Sequence, residues 1–228
     1  MIASIQSLGR TLVIAPHPDD EILGCGGTMA RLAEAGLPVY VAVVTEGRAP
    51  AFPPEQVARV KAEAARAHAH LGVRETLWLG QPAAQLSEHP HAALNAAIRK
   101  AVLDVAPDTL LIPHLGDIHI DHQLVFLSSL VAARPHQAEY PPRILAYETM
   151  SETNWNAPYL TPPFVPNVFV DIGAQLGRKL EAMALFESQV KQPPHERSVE
   201  TLRALATLRG ATVHRTAAEG FVLIRNVL

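Results

Sequence analysis

Short apolar runs alternate with longer Ala-rich or amphipathic stretches along this chain. Leu12-Val13-Ile14-Ala15 is wholly apolar and stops at Pro16, which predicts a buried strand. Val39 to Val44, Thr76 to Leu79 and Thr109 to Ile112 read the same way, with further strand candidates at Ile144 to Tyr147, Val168 to Asp171 and Phe221 to Ile224. Between them lie predicted helices over Thr28 to Ala35, Glu55 to Leu71, Ala92 to Val105, Leu124 to Ala133, Ala174 to Phe186 and Val199 to Leu208. Gly36 and Gly72 stand where the first two of these helices would end.

Strand–helix alternation of this kind predicts an α/β, Rossmann-like fold: a mostly parallel sheet with helices on both faces, in a single domain over residues 1–228. Right-handed crossovers then leave few topologies. In a Rossmann-like order the sheet reverses direction between its first and fourth strands, and a crevice opens at their carboxyl ends.

Two polar segments follow those two strands. His17-Pro18-Asp19-Asp20-Glu21 comes after the first and His119-Ile120-Asp121-His122 after the fourth, each on a predicted loop. The topology brings them together although they lie about a hundred positions apart. His17, Asp20 and His122 then supply two imidazoles and one carboxylate, the donor set of a catalytic zinc, and iron(II), cobalt or nickel suit the same groups. A plain turn with Asp19 or Asp20 capping the next helix is the structural alternative. Against it, Asp19, Asp20 and Glu21 in succession repel one another, and a bound cation relieves that repulsion. Gly24-Cys25-Gly26-Gly27 is not a dinucleotide loop, because position 29 is Met where the fingerprint needs glycine. Close backbone packing or room beside the metal is the expected use of these glycines.

Composition narrows the function classes. The chain has 228 residues and a formal net charge of −3 with no Lys/Arg-rich run, so nucleic acid is not an expected partner. No apolar stretch approaches the roughly 20 residues of a membrane span. Met1 to Arg10 lacks the order of a signal peptide. Cys25 is the single cysteine, which excludes an intrachain disulfide, and a cytoplasmic protein is the expectation.

Ala15-Pro16-His17-Pro18-Asp19-Asp20-Glu21 and His119-Ile120-Asp121-His122 resemble the two signatures of the PIG-L/LmbE-like de-N-acetylases. Val44 to Gly47, Glu63 to Gly72, Pro166 to Ile172, Lys179, Ser188-Gln189 and Ala218 to Phe221 also look familial, so the resemblance spans nearly the whole chain. It implies zinc-dependent removal of acetyl groups from N-acetylated sugars or sugar conjugates. It implies that His17, Asp20 and His122 hold zinc and that Asp19 is the general base toward the attacking water. It further implies that His119, oriented and kept protonated by Asp121, stabilises the oxyanion or protonates the leaving amine. A homo-oligomer is compatible with the resemblance. The chain departs from it at Asp117, where several members carry Tyr, and at Val60, where many carry Arg.

Arg48, in the loop after the second strand, is a candidate for gripping substrate hydroxyls or a phosphate, and a solvated loop charge is its alternative. Trp155 is a candidate for stacking on a sugar ring or for sealing a subunit contact. Three functions compete with sugar deacetylation: hydrolysis of a different amide, such as a thiol conjugate; non-catalytic binding of sugar or metal on the same scaffold; and nucleotide-dependent oxidoreduction, which needs the missing glycine fingerprint.

Overall fold

The computed structural model describes residues 4–228, so the first residues of the Met1 to Arg10 stretch lie outside it. After a single 3-10 turn (Ile5–Leu8) the elements run β1 (Thr11–Ala15), α1 (Asp20–Glu34), β2 (Val39–Glu46), α2 (Pro54–Leu71), β3 (Glu75–Pro82), α3 (His91–Val105), β4 (Thr109–Ile112) and α4 (Ile120–Ala132). They continue as β5 (Arg143–Tyr147), β6 (Val168–Asp171), α5 (Leu176–Ala184), α6 (Val199–Thr212) and β7 (Ala218–Asn226). The seven strands form one sheet in the order β3-β2-β1-β4-β5-β7-β6. The first five are parallel, while β7 is antiparallel to both β5 and β6.

The alternation of side chains along each strand sorts the core into two layers. Val13, Ala15, Val41, Val43 and Leu111 face one way and meet α1, α2, α5 and α6. Leu12, Ile14, Ala42, Val44, Leu110 and Ile112 face the other way and meet α3 and α4. Both faces are covered, which is why β1, β2 and β4 are unbroken apolar runs rather than alternating ones. The order reverses between β1 and β4, as expected, so the segments after Ala15 and Ile112 open into the same crevice.

Two helix starts differ from the sequence expectation. α1 begins at Asp20, eight residues before Thr28, so part of the first polar segment belongs to a helix rather than a loop. Gly24, Gly26 and Gly27 disfavour helix in isolation, but tertiary packing overrides that preference. A Cβ at Gly24 would stand 2.3 Å from Tyr147 Cδ2 and 2.9 Å from the Glu148 carbonyl oxygen, and one at Gly27 would stand 2.6 Å from Ile172 Cδ1. The glycines therefore let α1 lie close to the end of β5, which is the close-packing use expected of them. α4 likewise begins at Ile120, four residues before Leu124. Its cap is the ring of His119, whose Nδ1 accepts the Asp121 N–H at 3.0 Å. Histidine is not among the usual capping residues, so this start carried no signal.

The middle of α1 is fastened by a buried ion pair. Lys179 Nζ donates to Glu219 Oε1 at 2.6 Å and to the Leu23 carbonyl at 2.8 Å. The Glu219 carboxylate accepts the Gly27 and Thr28 N–H groups at 2.9 and 2.7 Å. In a regular helix the Gly27 N–H would serve the Leu23 carbonyl, so the pair is inserted into the helix ladder and ties it to α5 and β7. Both charges are nearly inaccessible, and each is satisfied by the other and by backbone dipoles.

For Gly24→Ala, gained helix propensity (about 1 kcal/mol) competes with overpacking against Tyr147 and the Glu148 backbone (about 1–3 kcal/mol). The contact is below any normal Cβ separation and one neighbour is backbone, so overpacking wins. Gly24→Ala is expected to lower the urea midpoint with an unchanged m value; a raised midpoint would contradict this packing account.

Candidate metal centre

The segment Pro16 to Asp20 is held from both sides. Thr45, near the end of β2, donates its N–H and Oγ1 hydroxyl to the Pro16 carbonyl at 3.1 and 2.8 Å. Asp19 stands at the N-cap of α1 with φ 111°, a conformation non-glycine residues seldom adopt, and its carbonyl accepts the first helical bonds from Ile22 and Leu23. Its side chain makes no capping bond, and Asp20 is already the first helical residue, so the helix is capped by neither side chain in the way the plain-turn reading expects. The Asp19 N–H is bound instead by Glu21 Oε2 at 3.2 Å, and Glu21 Oε1 pairs with the buried His68 Nε2 at 2.9 Å.

Three donor atoms converge at the crevice. His17 Nδ1 lies 3.4 Å from Asp20 Oδ2 and 3.3 Å from His122 Nε2, and His122 Nε2 lies 3.2 Å from Asp20 Oδ2. Zinc bonds of about 2.0–2.1 Å at tetrahedral angles separate neighbouring donors by about 3.3–3.4 Å. The triangle therefore has the edge length of one face of a zinc tetrahedron. Asp20 Oδ1 is buried and carries no hydrogen bond among the described residues, a further acceptor on the same carboxylate. The donor set and its spacing fit a divalent cation.

Each imidazole is oriented by a carboxylate on its other nitrogen. His122 Nδ1 donates to Asp117 Oδ2 at 2.9 Å, and Asp117 Oδ1 accepts the Thr153 hydroxyl at 2.6 Å. His17 Nε2 donates to Asp121 Oδ2 at 3.1 Å. Both tautomers so assigned leave a lone pair on the nitrogen that faces the triangle. Asp117, noted in the sequence only as a departure from Tyr, is thus the support of His122.

The role expected for Asp121 needs correction in one respect. Its carboxylate does not orient His119: it is engaged with His17 and with the backbone N–H groups of Ala84 and Leu86, at 2.7 and 3.3 Å. Only its backbone N–H hydrogen-bonds to His119. Burial and the neighbouring His17 charge lower the His119 pKa, so the ring is not held protonated by a carboxylate partner. With Nδ1 accepting the Asp121 N–H, the neutral ring carries its proton on Nε2 and remains a hydrogen-bond donor.

The charge state of the cluster follows from crowding lone pairs in a dry place. Burial would lower the His122 ring, but Asp20 and Asp117 outweigh it and push its pKa up to about 10. His17 is raised as well, its bonds to Asp121 and Asp20 outweighing burial. The two rings in turn hold Asp20 well below the usual carboxylate range against the effect of burial. Asp19 is different. Burial pushes its carboxyl up to about 8, opposed chiefly by Arg197, whose Nη1 lies 3.1 Å from Asp19 Oδ2. A cation on the adjacent ligands acts in the same direction as Arg197.

Arg197 carried no motif in the sequence, and sequence reasoning did not single it out. Its guanidinium also donates to Ser151 Oγ at 2.9 Å and approaches Glu152 Oε1 at 3.5 Å, so it clasps the loop after β5 to Asp19. One of the three donors, His17, lines a cavity of about 280 Å³ whose wall also includes Asp19, His119 and Arg197 together with Phe52, Val57, Val60 and Trp78; Asp20 and His122 lie behind it. Arg48 and Trp155 are absent from this wall. Arg48 is exposed and donates to the Gly80 carbonyl at 2.7 Å, and Trp155 is half exposed with its ring 6.4 Å from that of His195.

The family profile described as "PIG-L: GlcNAc-PI de-N-acetylase" matches residues 12–133 of the chain. The chain belongs to the PIG-L family. It is 30% identical over 176 residues to the Escherichia coli K12 protein named "Uncharacterized deacetylase YaiS", covering 75% of this chain and 86% of that one. It is 26% identical over 227 residues to a diacetylchitobiose deacetylase of Thermococcus kodakarensis, covering 96% and 84% respectively. Among solved structures, the conserved protein TT1542 of Thermus thermophilus superposes with a TM-score of 0.77 at 27% identity, over 96% of each chain. As a PIG-L protein the chain is an enzyme of the deacetylase kind, acting on an amide C–N bond. None of its described helices is long and apolar enough to cross a membrane.

If Asp117 fixes the tautomer of His122, Asp117→Asn should weaken zinc binding about 10–100-fold. Competition against a chromogenic chelator measures this, and an unchanged affinity would remove Asp117 from the metal site.

Proposed function

We propose that this PIG-L protein hydrolyses the N-acetyl amide of an amino sugar or sugar conjugate, releasing acetate and a free amine, with zinc held by His17, Asp20 and His122. The observation that carries the reading is the donor triangle of 3.2–3.4 Å, reached from a 280 Å³ cavity through its His17 corner, with a carboxylate that is not a donor, Asp19, on the same cavity wall. The diacetylchitobiose deacetylase similar along nearly the whole chain supports the sugar-acetyl choice.

When bound, zinc supplies Lewis acidity, which polarises the amide carbonyl and makes a water easier to deprotonate. Asp19 accepts that water's proton as its oxygen adds to the carbonyl carbon. Its adjacency to Asp20 sets it beside the ligands without making it one. Arg197 keeps Asp19 aimed and offsets the charge it would otherwise bury. His119, through its Nε2–H, donates to the carbonyl oxygen as negative charge collects there, which a neutral ring does without first gaining a proton. The C–N bond then breaks, and the proton carried by Asp19 passes to the departing nitrogen. Atoms and charges balance: one water is consumed, its second proton passes from the new carboxyl to the amine, and acetate and an ammonium leave.

The test is acetate release from a panel of N-acetyl amino sugars. Chelator treatment should abolish turnover and zinc should restore it. Asp19→Asn should keep a full equivalent of metal and lower kcat by about 10²–10⁴-fold. Turnover by metal-free protein would overturn the metal assignment, and metal uptake with no hydrolysis across the panel would favour a binding protein.

A further inference from the structure

Deacetylation as described uses the metal end of the cavity and leaves Glu46, Lys61 and Trp78 without a part. Glu46 is the last residue of β2, Lys61 lies on α2 and Trp78 lies on the edge strand β3, and all three line the cavity. Lys61 Nζ donates to Glu46 Oε1 at 2.7 Å and sits 5.2 Å from the centre of the Trp78 ring. Glu46 Oε2, the remaining ammonium protons and the Trp78 indole N–H carry no other hydrogen bond among the described residues. Each polar side chain is about one-third exposed, so they face the space rather than the core. Val57, Val60 and Phe52 supply an apolar wall of the same cavity.

We propose that Glu46, Lys61 and Trp78 form a saccharide subsite that holds a neutral sugar ring of the substrate; the proposal rests on the deacetylase reading and names its substrate class. Three observations decide the chemistry. A carboxylate and an ammonium in contact offer acceptors and donors side by side, which matches neighbouring ring hydroxyls. Trp78 and the valines offer apolar surface to the C–H face of the same ring. A sugar ring is amphipathic in this manner, whereas a long N-acyl chain would press methylenes onto an ion pair and strip its water without replacement. A phosphate or nucleotide fits poorly too, because Glu46 already neutralises Lys61 and would repel an anion.

Trp78 and Trp155 are the only tryptophans in the chain, so a Trp155→Phe background isolates the emission of Trp78. In that background N,N′-diacetylchitobiose and N-acetylglucosamine should shift Trp78 emission saturably, with or without bound zinc. Glu46→Gln and Lys61→Met preserve shape at partly exposed positions. Each should raise both the half-saturating sugar concentration and KM by about tenfold or more, while kcat stays within about threefold. Turnover with unchanged KM in both variants and no change in Trp78 emission would overturn the subsite and leave the deacetylase reading standing. Faster wild-type hydrolysis of N-octanoyl than of N-acetyl glucosamine, lost in the variants, would make this end an acyl pocket and also overturn it. Neither binding nor turnover of any N-acetyl sugar would overturn both.

Discussion

Two imidazole lone pairs and a carboxylate oxygen within 3.4 Å of one another, largely out of water, need a positive charge among them. A proton is one answer, and the push of His122 to a pKa of about 10 shows how strongly the cluster attracts it. A divalent cation is the other, and it serves all three donors at once. Much of the surrounding architecture holds this triangle closed. Asp117 and Asp121 fix the two rings from behind, Thr45 holds the Pro16 carbonyl, and the glycines of α1 let Asp20 come close to β5.

The same constraint separates the carboxylates by role. Asp20 faces two rings that hold its carboxyl well below the usual range, whereas Asp19, one position earlier, is buried with a single guanidinium and is pushed up to about 8, a rise that a cation on the neighbouring groups would oppose. A base that must take and return a proton near neutrality benefits from that second environment. The Lys179–Glu219 pair plays a supporting part from a distance. It interrupts the α1 ladder at Leu23 and Gly27, within two turns of Asp20, and links the helix that carries Asp20 to α5 and β7.

The sheet and its switch point were legible because β1, β2 and β4 are buried on both faces and therefore read as plain apolar runs. The meeting of His17 with His122 followed from strand order alone. What was not legible depended on tertiary partners. The glycines concealed the start of α1, since their low helix propensity is outweighed only by Tyr147 and Ile172, far away in sequence. Arg197 lies 178 positions from the carboxylate it meets, in a loop without a motif. Of the two tryptophans, sequence reasoning favoured Trp155. The pairing of Trp78 with Val43 in the β2–β3 register puts Trp78 on the cavity wall, while Trp155 stays against His195 outside it. Asp121 was recognised, but its carboxylate turned to His17, a choice that spacing within one motif does not reveal.

The proposed reaction turns on one cation being shared by His17, Asp20 and His122. Anomalous diffraction from crystals of the zinc-loaded protein, collected on both sides of the zinc absorption edge, tests this most directly. The expected result is a single strong peak bonded to His17 Nδ1, His122 Nε2 and an Asp20 oxygen at about 2.0–2.2 Å. A peak centred elsewhere, or none at that triangle in fully loaded protein, would contradict it.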